Sequence, residues 1–381
     1  MKIVPNLKRV YWEVTAGCNL RCIHCRRVDV AYKPSKEEVT TAEAKALIDE
    51  LVVLGRPVLI FSGGEPLMRE DLLDLISYAH SQGIKSALAT NGTLVNKPLA
   101  RALREAGIHY ASISLDGVCA ETHDQFRGVG NFTRAVRGYM QMKEAGIKVQ
   151  INFTVTRRNV QEVEAMLKLA HEYKAEALYL FLLVPVGCGV EIADAEMLSK
   201  EEIESALRWV VEKNKMSAVP IKLICAPHFY RVEWEESGME LEESIDSTRK
   251  GCLAGTDICF ISHKGEVFPC GYLPISSGNL RETPFKAIWE QSTFFEKLRN
   301  PDLLEGKCGR CSFKILCGGC RARAYYAYQD PLGEEPYCSY EPFKSLPESE
   351  VKGLAQASKE VSFGKGETLY LEGEEANRVW T

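Results

Sequence analysis

EAGIHYASISLDG, residues 105–117, holds the plan of the fold in one short stretch. It reads as the last turn of a helix, a glycine joint, a strand and a polar tip. Gly107 suits the left-handed residue that ends a helix, and Ile108 starts the turn into the strand. The joint recurs as SQGIK at 81–85 and EAGIK at 144–148, with Gly83 and Gly146 in the same place. Working outward, short β-rich runs alternate with longer amphipathic ones: VYWEVT, PVLIFSGG, KSALATNG, YASISLDG, VQINFTV and ALYLFLLV. These runs are mostly apolar on both parities, as in parallel strands covered on both faces. The first helical run opens on Thr40-Thr41-Ala42-Glu43, a capping-box pattern. Six strand–helix units predict an open (β/α)6 barrel, with a doubly wound sheet as the alternative.

The polar residues of these units gather at the C-terminal ends of the strands. A cysteine loop follows the first, SGGEP the second, TNGT the third and SLDG the fourth. In barrels of parallel strands that rim carries the catalysis.

The cysteine loop, TAGCNLRCIHCRR at 15–27, spaces Cys18, Cys22 and Cys25 as Cys-x3-Cys-x2-Cys. An iron–sulfur cubane takes four thiolates, so three on one loop leave one iron open to a substrate or cofactor. A zinc knuckle with a distant fourth ligand is the competing reading. His24, squeezed between two cysteines, is expected to pack against the site.

The chain has fourteen cysteines. Outside the opening loop, eight lie between Cys252 and Cys338, and Cys119, Cys188 and Cys225 stand alone. The lone three read as small apolar residues. Clustered cysteines in a reducing compartment point to metal. The formal charge of −5 and the lack of a basic run argue against a nucleic-acid binder. Neither a membrane-length apolar run nor a signal-peptide pattern appears, which points to the cytoplasm.

At this point the sequence resembles the radical S-adenosylmethionine (SAM) superfamily, over residues 8–184. The resemblance implies a 4Fe–4S cluster on Cys18, Cys22 and Cys25 whose open iron is chelated by SAM. It also implies a low-potential electron donor of the flavodoxin or ferredoxin type. Gly63, Gly64, Glu65 and Pro66 resemble the loop that receives the SAM amino group, where a carboxylate can meet an ammonium. Ser114 and Asp116 resemble the family's ribose and carboxylate contacts, and Asn91 and Asn152 are further SAM candidates. The reaction implied is electron transfer into SAM, formation of a deoxyadenosyl radical, and hydrogen abstraction from substrate.

The later cysteines resemble the SPASM extension of that superfamily, with Cys-x2-Cys where the family ends its motif in Cys-x3-Cys. By that analogy Cys308, Cys311, Cys317 and Cys338 hold one auxiliary 4Fe–4S cluster. Cys252, Cys259, Cys270 and Cys320 hold a second; a zinc ribbon is the alternative. The expected division is a barrel at 1–190, a helical linker at 191–250, the SPASM segment at 251–345 and a tail at 346–381. That tail resembles the opening of a cyclic-nucleotide-binding domain, which raises the contrasting class of a non-catalytic iron–sulfur sensor.

Residues 251–274 and 317–338 resemble heme synthases of the siroheme-dependent route, which decarboxylate two propionates of Fe-coproporphyrin III to vinyls. Enzymes of the d-type heme branch and SPASM peptide maturases are the alternatives. For the propionates, Arg26, Arg27, Arg157 and Arg158 are the expected cations. His228 and Tyr230 are candidates for an axial contact to a heme iron.

Overall fold

A computed structural model describes residues 6–28, 32–237 and 251–342. The tail at 346–381 lies outside the described residues. Strands β1 (Arg9–Glu13), β2 (Val58–Ser62), β3 (Ser86–Thr90), β4 (Ile108–Ser114), β5 (Lys148–Val155) and β6 (Leu178–Leu182) are the six expected. Helices α1 (Thr41–Val53), α2 (Leu72–Ser81) and α3 (Lys97–Ala106) separate the first four strands. Between β4 and β5 lie α4 (Ala120–Arg127) and α5 (Asn131–Glu144), and α6 (Val163–Glu172) precedes β6. Thr40 and Glu43 form the expected capping box at the start of α1. Gly83, Gly107 and Gly146 carry φ of +74°, +121° and +79°, a backbone that favours glycine.

With β7 (Ile221–Ile224), β8 (Ile258–Ile261) and β9 (Val267–Phe268), the sheet runs β7-β6-β5-β4-β3-β2-β1-β8-β9, parallel from β7 through β8. Strands β2 to β7 follow one another outward from β1, which is the order of a barrel wall and not of a doubly wound sheet. The region expected as a helical linker contributes a strand of its own. After α7 (Gly189–Glu196) and α8 (Lys200–Asn214), β7 (Ile221–Ile224) pairs with β6, and α9 (Phe229–Ser237) follows. Four apolar-leaning residues behind Pro220 are too few to show a period, so the sequence left β7 unread. The cysteine-rich segment also enters the sheet: β8 (Ile258–Ile261) lies against β1, and β9 (Val267–Phe268) turns back antiparallel to β8. Among the described residues β7 and β8 do not pair, so the wall is open at that seam.

The strands do not have two equivalent faces. Along β4 and β5 the residues Ala111, Ile113, Val149, Ile151 and Phe153 are buried under the helices. The alternate residues Ser112, Ser114, Gln150, Asn152 and Thr154 are only half-buried. The expectation of apolar strands on both parities fails on this inner face, because the barrel interior is polar and accessible. Register sets Ser114 beside Asn152, Asn152 beside Tyr179, and Tyr179 beside Lys222.

Candidate active site at the C-terminal rim

Parallel pairing brings the loops after β1 to β4 to one end, and hydrogen bonds join them. Gly64 N donates to Thr15 O at 2.9 Å, and Glu65 N to Gly17 O at 2.7 Å. The two loops touch so closely that a Cβ on Gly64 would stand 2.3 Å from the Gly17 carbonyl oxygen. Asn91 Nδ2 donates to Asn19 Oδ1 at 2.9 Å, and Asn19 Nδ2 to Thr93 Oγ1 at 2.8 Å, which ties the cysteine loop to β3. On the far side Cys188 N donates to Cys25 O at 2.8 Å.

Glu65 lies fully buried beneath this junction. Its carboxylate accepts from Thr90 Oγ1 at 2.6 Å, Asn91 N at 2.8 Å and Leu67 N at 3.2 Å. Burial pushes its pKa up to about 7 against those donors. In this geometry the side chain fastens the loops of β2 and β3 together.

Asp116 is likewise buried. It accepts from Arg127 Nε at 2.5 Å and Thr154 N at 2.8 Å, and His24 Nε2 stands 3.2 Å away. Burial alone would raise its pKa, but Arg127 and then His24 hold the carboxyl well below the usual range. The direct ligand contact expected of Asp116 gives way to a positioning role. Arg127, anchored by Asp116, points Nη1 at Cys22 Sγ, 3.7 Å away. Sequence reasoning missed Arg127; its one signal was a basic residue ending the helix that follows SLDG. His24 packs edge-on to Phe126 at 5.3 Å, in keeping with its expected packing role.

Ser114 and Asn152 differ from Glu65, Asn91 and Asp116. The Ser114 hydroxyl has no partner among the described residues, and Asn152 uses only its oxygen, accepting from Gln150 Nε2 at 2.9 Å. Both remain able to meet a ligand in the interior. Burial pushes the Cys18 thiol up to about 12 and the Cys22 thiol to about 11, with neighbouring thiols adding to each. A metal displaces such protons on binding. Three thiols on one loop, with a guanidinium beside Cys22, fit an anionic thiolate cluster. Among the described residues no three His, Cys, Asp or Glu side chains close on a single metal ion. A cubane holds each thiolate on a separate iron, so its ligands stand apart.

The second cysteine region forms two groups. Cys308, Cys311 and Cys338 lie near the half-buried Cys317, and after desolvation itself each raises the Cys317 pKa. Sulfur-directed donors accompany them: Glu335 N to Cys308 at 3.3 Å, Gly319 N to Cys317 at 3.4 Å, and Arg321 Nη2 to Cys308 at 3.8 Å. This is the expected first auxiliary set. Cys252, Cys270 and Cys320 also come together: desolvation raises the Cys270 pKa most, and the charges on Cys252 and Cys320 each add to it. Cys259 is not with them. It sits on β8 in register with Val10, buried in the main core on the outer face of the wall. Its placement in the second set is corrected accordingly: one strand alternates faces, and this parity points away from the other three.

Most of the expected propionate cations are engaged elsewhere. Arg26 and Arg27 both pair with the buried Glu13, and Arg26 also lies over the Phe260 ring at 4.3 Å. Arg157 turns outward to Glu202 at 3.5 Å, and Arg158 Nε donates to Glu196 Oε1 at 2.8 Å. His228 is buried with neither ring nitrogen partnered among the described residues, and burial lowers its pKa to about 4. It has no surface to offer a heme iron. Tyr230 packs edge-on to Phe229 at 5.8 Å.

A model described as the Radical SAM superfamily matches residues 12–170, and one described as an iron–sulfur cluster-binding domain, SPASM, matches residues 252–312. The chain is 46% identical over 342 residues to the AdoMet-dependent heme synthase of Methanosarcina barkeri, covering 88% of this chain and 97% of that one. It belongs to the radical SAM enzymes with a SPASM segment. A second M. barkeri relative, the Fe-coproporphyrin III synthase, is 34% identical over 351 residues, covering 86% of this chain and 87% of that one. Among solved structures, Streptococcus suis SuiB bound to its precursor peptide SuiA superposes with a TM-score of 0.72 at 16% identity, covering 88% of this chain and 76% of that one. That likeness shows the fold alone. A radical SAM enzyme uses a 4Fe–4S cluster and SAM, and the SPASM match adds auxiliary iron–sulfur binding. No helix among the described residues is long and apolar enough to cross a membrane.

Proposed function

We propose that this radical SAM enzyme converts Fe-coproporphyrin III to heme b by oxidative decarboxylation of two propionates. The observation that carries the reading is the gap between the two M. barkeri relatives: 46% identity to the heme synthase against 34% to the Fe-coproporphyrin III synthase, over nearly the same length. Each propionate loses one hydrogen atom, carbon dioxide and one electron to become a vinyl. When bound, the cluster on Cys18, Cys22 and Cys25 together with SAM supplies the hydrogen-abstracting chemistry.

The chain's own residues hold and orient. Asp116 fixes Arg127 beside Cys22, and Glu65 fixes the β2 and β3 loops against the cysteine loop. Ser114 and Asn152 face the interior as SAM contacts. Lys222 serves a propionate: it shares their side of the wall, meets the Tyr179 ring at 5.6 Å and has no carboxylate partner among the described residues. The auxiliary set on Cys308, Cys311, Cys317 and Cys338 has four thiol ligands of its own, which suits accepting the departing electron. A flavodoxin- or ferredoxin-type protein is the expected donor to the site.

The test is anaerobic incubation of reduced, reconstituted protein with SAM and Fe-coproporphyrin III, followed by mass spectrometry. Stepwise loss of two carboxyl groups, with 5′-deoxyadenosine formed alongside, is the expected result. Deoxyadenosine with an unchanged porphyrin would retain the enzyme class and discard this substrate.

A further inference from the structure

We infer that Cys225 is the fourth ligand of the second auxiliary site, completing a set with Cys252, Cys270 and Cys320. The inference rests on the reading that this set holds an iron–sulfur cluster.

Four separate segments converge there. Cys225 follows directly on β7, at the rim where the barrel strands end. It is partly buried against a small core cluster that contains Cys320, near enough for the two thiols to act on each other's ionisation. Cys270 lies just beyond β9 and, partly buried like Cys225, packs against the same small cluster of Val184, Leu273, Cys320 and Ala322, apart from the main core. Cys252 is brought in by the backbone: Gly251 N donates to Leu316 O at 2.7 Å, and Cys252 N to Cys317 O at 3.1 Å. Those bonds lay residue 252 along the Cys317-Gly318-Gly319-Cys320 turn.

The alternative donor is on the wrong side of a strand. Cys259 alternates with Ile258 and Phe260 on β8, and its side chain shares the core with Val10 and Ile261. To reach the other three thiols, β8 would have to slip by one residue against β1, which would move Ile261 out of the core as well. Cys225 needs no such change. Its backbone holds φ of +59°, a conformation uncommon outside glycine, asparagine and aspartate. Such strain persists where the surroundings over-determine it. A thiol held at a fixed corner of a four-cysteine site is one such surrounding.

A ligand from β7 also explains how the open barrel is closed functionally. Among the described residues the seam between β7 and β8 has no strand pairing, and a shared cluster would staple the end of β7 to the cysteine-rich segment.

The experiment compares iron and sulfide content, Mössbauer and EPR spectra of the anaerobically reconstituted full chain. The proteins are wild type, Cys225→Ala, Cys225→Gly, Cys259→Ala and Cys252→Ala. With three cubanes filled, wild type holds roughly twelve irons. Both Cys225 variants and Cys252→Ala are expected to lose about four irons, or to convert one cubane to a three-iron form with its own EPR signal. Cys259→Ala is expected to keep the full content. Glycine relieves the left-handed backbone, so iron loss in Cys225→Gly cannot be charged to strain. Deoxyadenosine formation from SAM reports that the rim site remains intact in each variant. If Cys252→Ala loses iron and the Cys225 variants keep it, the assignment of Cys225 is overturned; loss in Cys259→Ala instead would make Cys259 the ligand. If Cys252→Ala also keeps its full iron, the cluster reading of this set fails, and the Cys225 inference with it.

Discussion

Asp116→Asn isolates the device that holds Arg127 against the cysteine loop. The carboxylate is fully buried, and the Arg127 side chain is 11% exposed. Asparagine keeps an oxygen for Thr154 N, so the substitution removes charge and little else. Arg127 is then left with Cys22 at 3.7 Å and His24 at 3.3 Å, neither a carboxylate. Removing one partner of a buried pair costs about 3–5 kcal/mol, and the small exposure of Arg127 places this pair near 3. For a chain of this size that is a fall in Tm of roughly 4 °C. Arg127→Met strands the acid instead and should cost a similar amount. The double variant has no stranded charge, so its loss should fall short of the sum of the two by about 2 kcal/mol. Thermal unfolding of the four reconstituted proteins under argon completes the cycle. Additive losses, or an Asp116→Asn protein within about 1 °C of wild type, would refute the pairing as the organising contact.

Glu65→Gln tests the buried carboxylate under the GGEP loop. Its folded pKa of about 7 lies above that of an exposed glutamate, so its contribution is greatest below pH 4 and is lost as pH rises to 7 and beyond. The glutamine variant should gain on wild type by about 3 kcal/mol across that range; a pH-independent difference in Tm would contradict this. Gly64→Ala places a methyl against the Gly17 and Ala16 carbonyls and should cost about 1–3 kcal/mol, with deoxyadenosine formation falling at least tenfold. Cys18→Ala should abolish SAM cleavage, whereas Cys311→Ala should keep part of it and impair product formation. Normal heme yield from Cys311→Ala would end the acceptor role of that set. Lys222→Met should raise KM for the porphyrin by roughly tenfold and leave SAM cleavage without porphyrin unchanged, the loss of one charge-assisted contact.

Much of this architecture was legible because it repeats. Glycine joints at 83, 107 and 146 fix helix ends, and parallel strands carry every following loop to one rim. The cysteines at 308, 311 and 317 are near neighbours in sequence, so their grouping with Cys338 could be read by spacing and analogy. β7 could not, since its four residues show no period. The inner wall was misread because Ser112, Ser114, Gln150 and Asn152 are interleaved with strongly apolar partners that dominate each run. The arginines were misread for a different reason. Position after a strand says where a guanidinium starts; whether Glu13, Glu196 or Glu202 has already taken it depends on contacts remote in sequence.

Cys225 and Cys259 show the limit most clearly. By spacing, Cys259 belongs with Cys252 and Cys270, while Cys225 stands alone ahead of them all. Strand geometry overrides spacing, because one position along β8 decides whether a thiol faces the main core or the opposite side of the wall. The same logic governs the charges near the sulfurs. Arg127 reaches Cys22 only because Asp116 holds it, and Arg323 comes close to Cys320 while bonded to Glu335 at 2.9 Å. Glu335 in turn accepts from Cys320 N at 2.7 Å and donates its own N–H to Cys308 Sγ at 3.3 Å. One buried acid thus touches both auxiliary sets, and an arginine neutralises it. Sulfur clusters carry negative charge that burial opposes, so each needs a cation, and each buried cation needs an acid to stay in place. Acid and base stand eleven or twelve residues apart in both pairs, across a loop and a helix, where no local pattern can announce them.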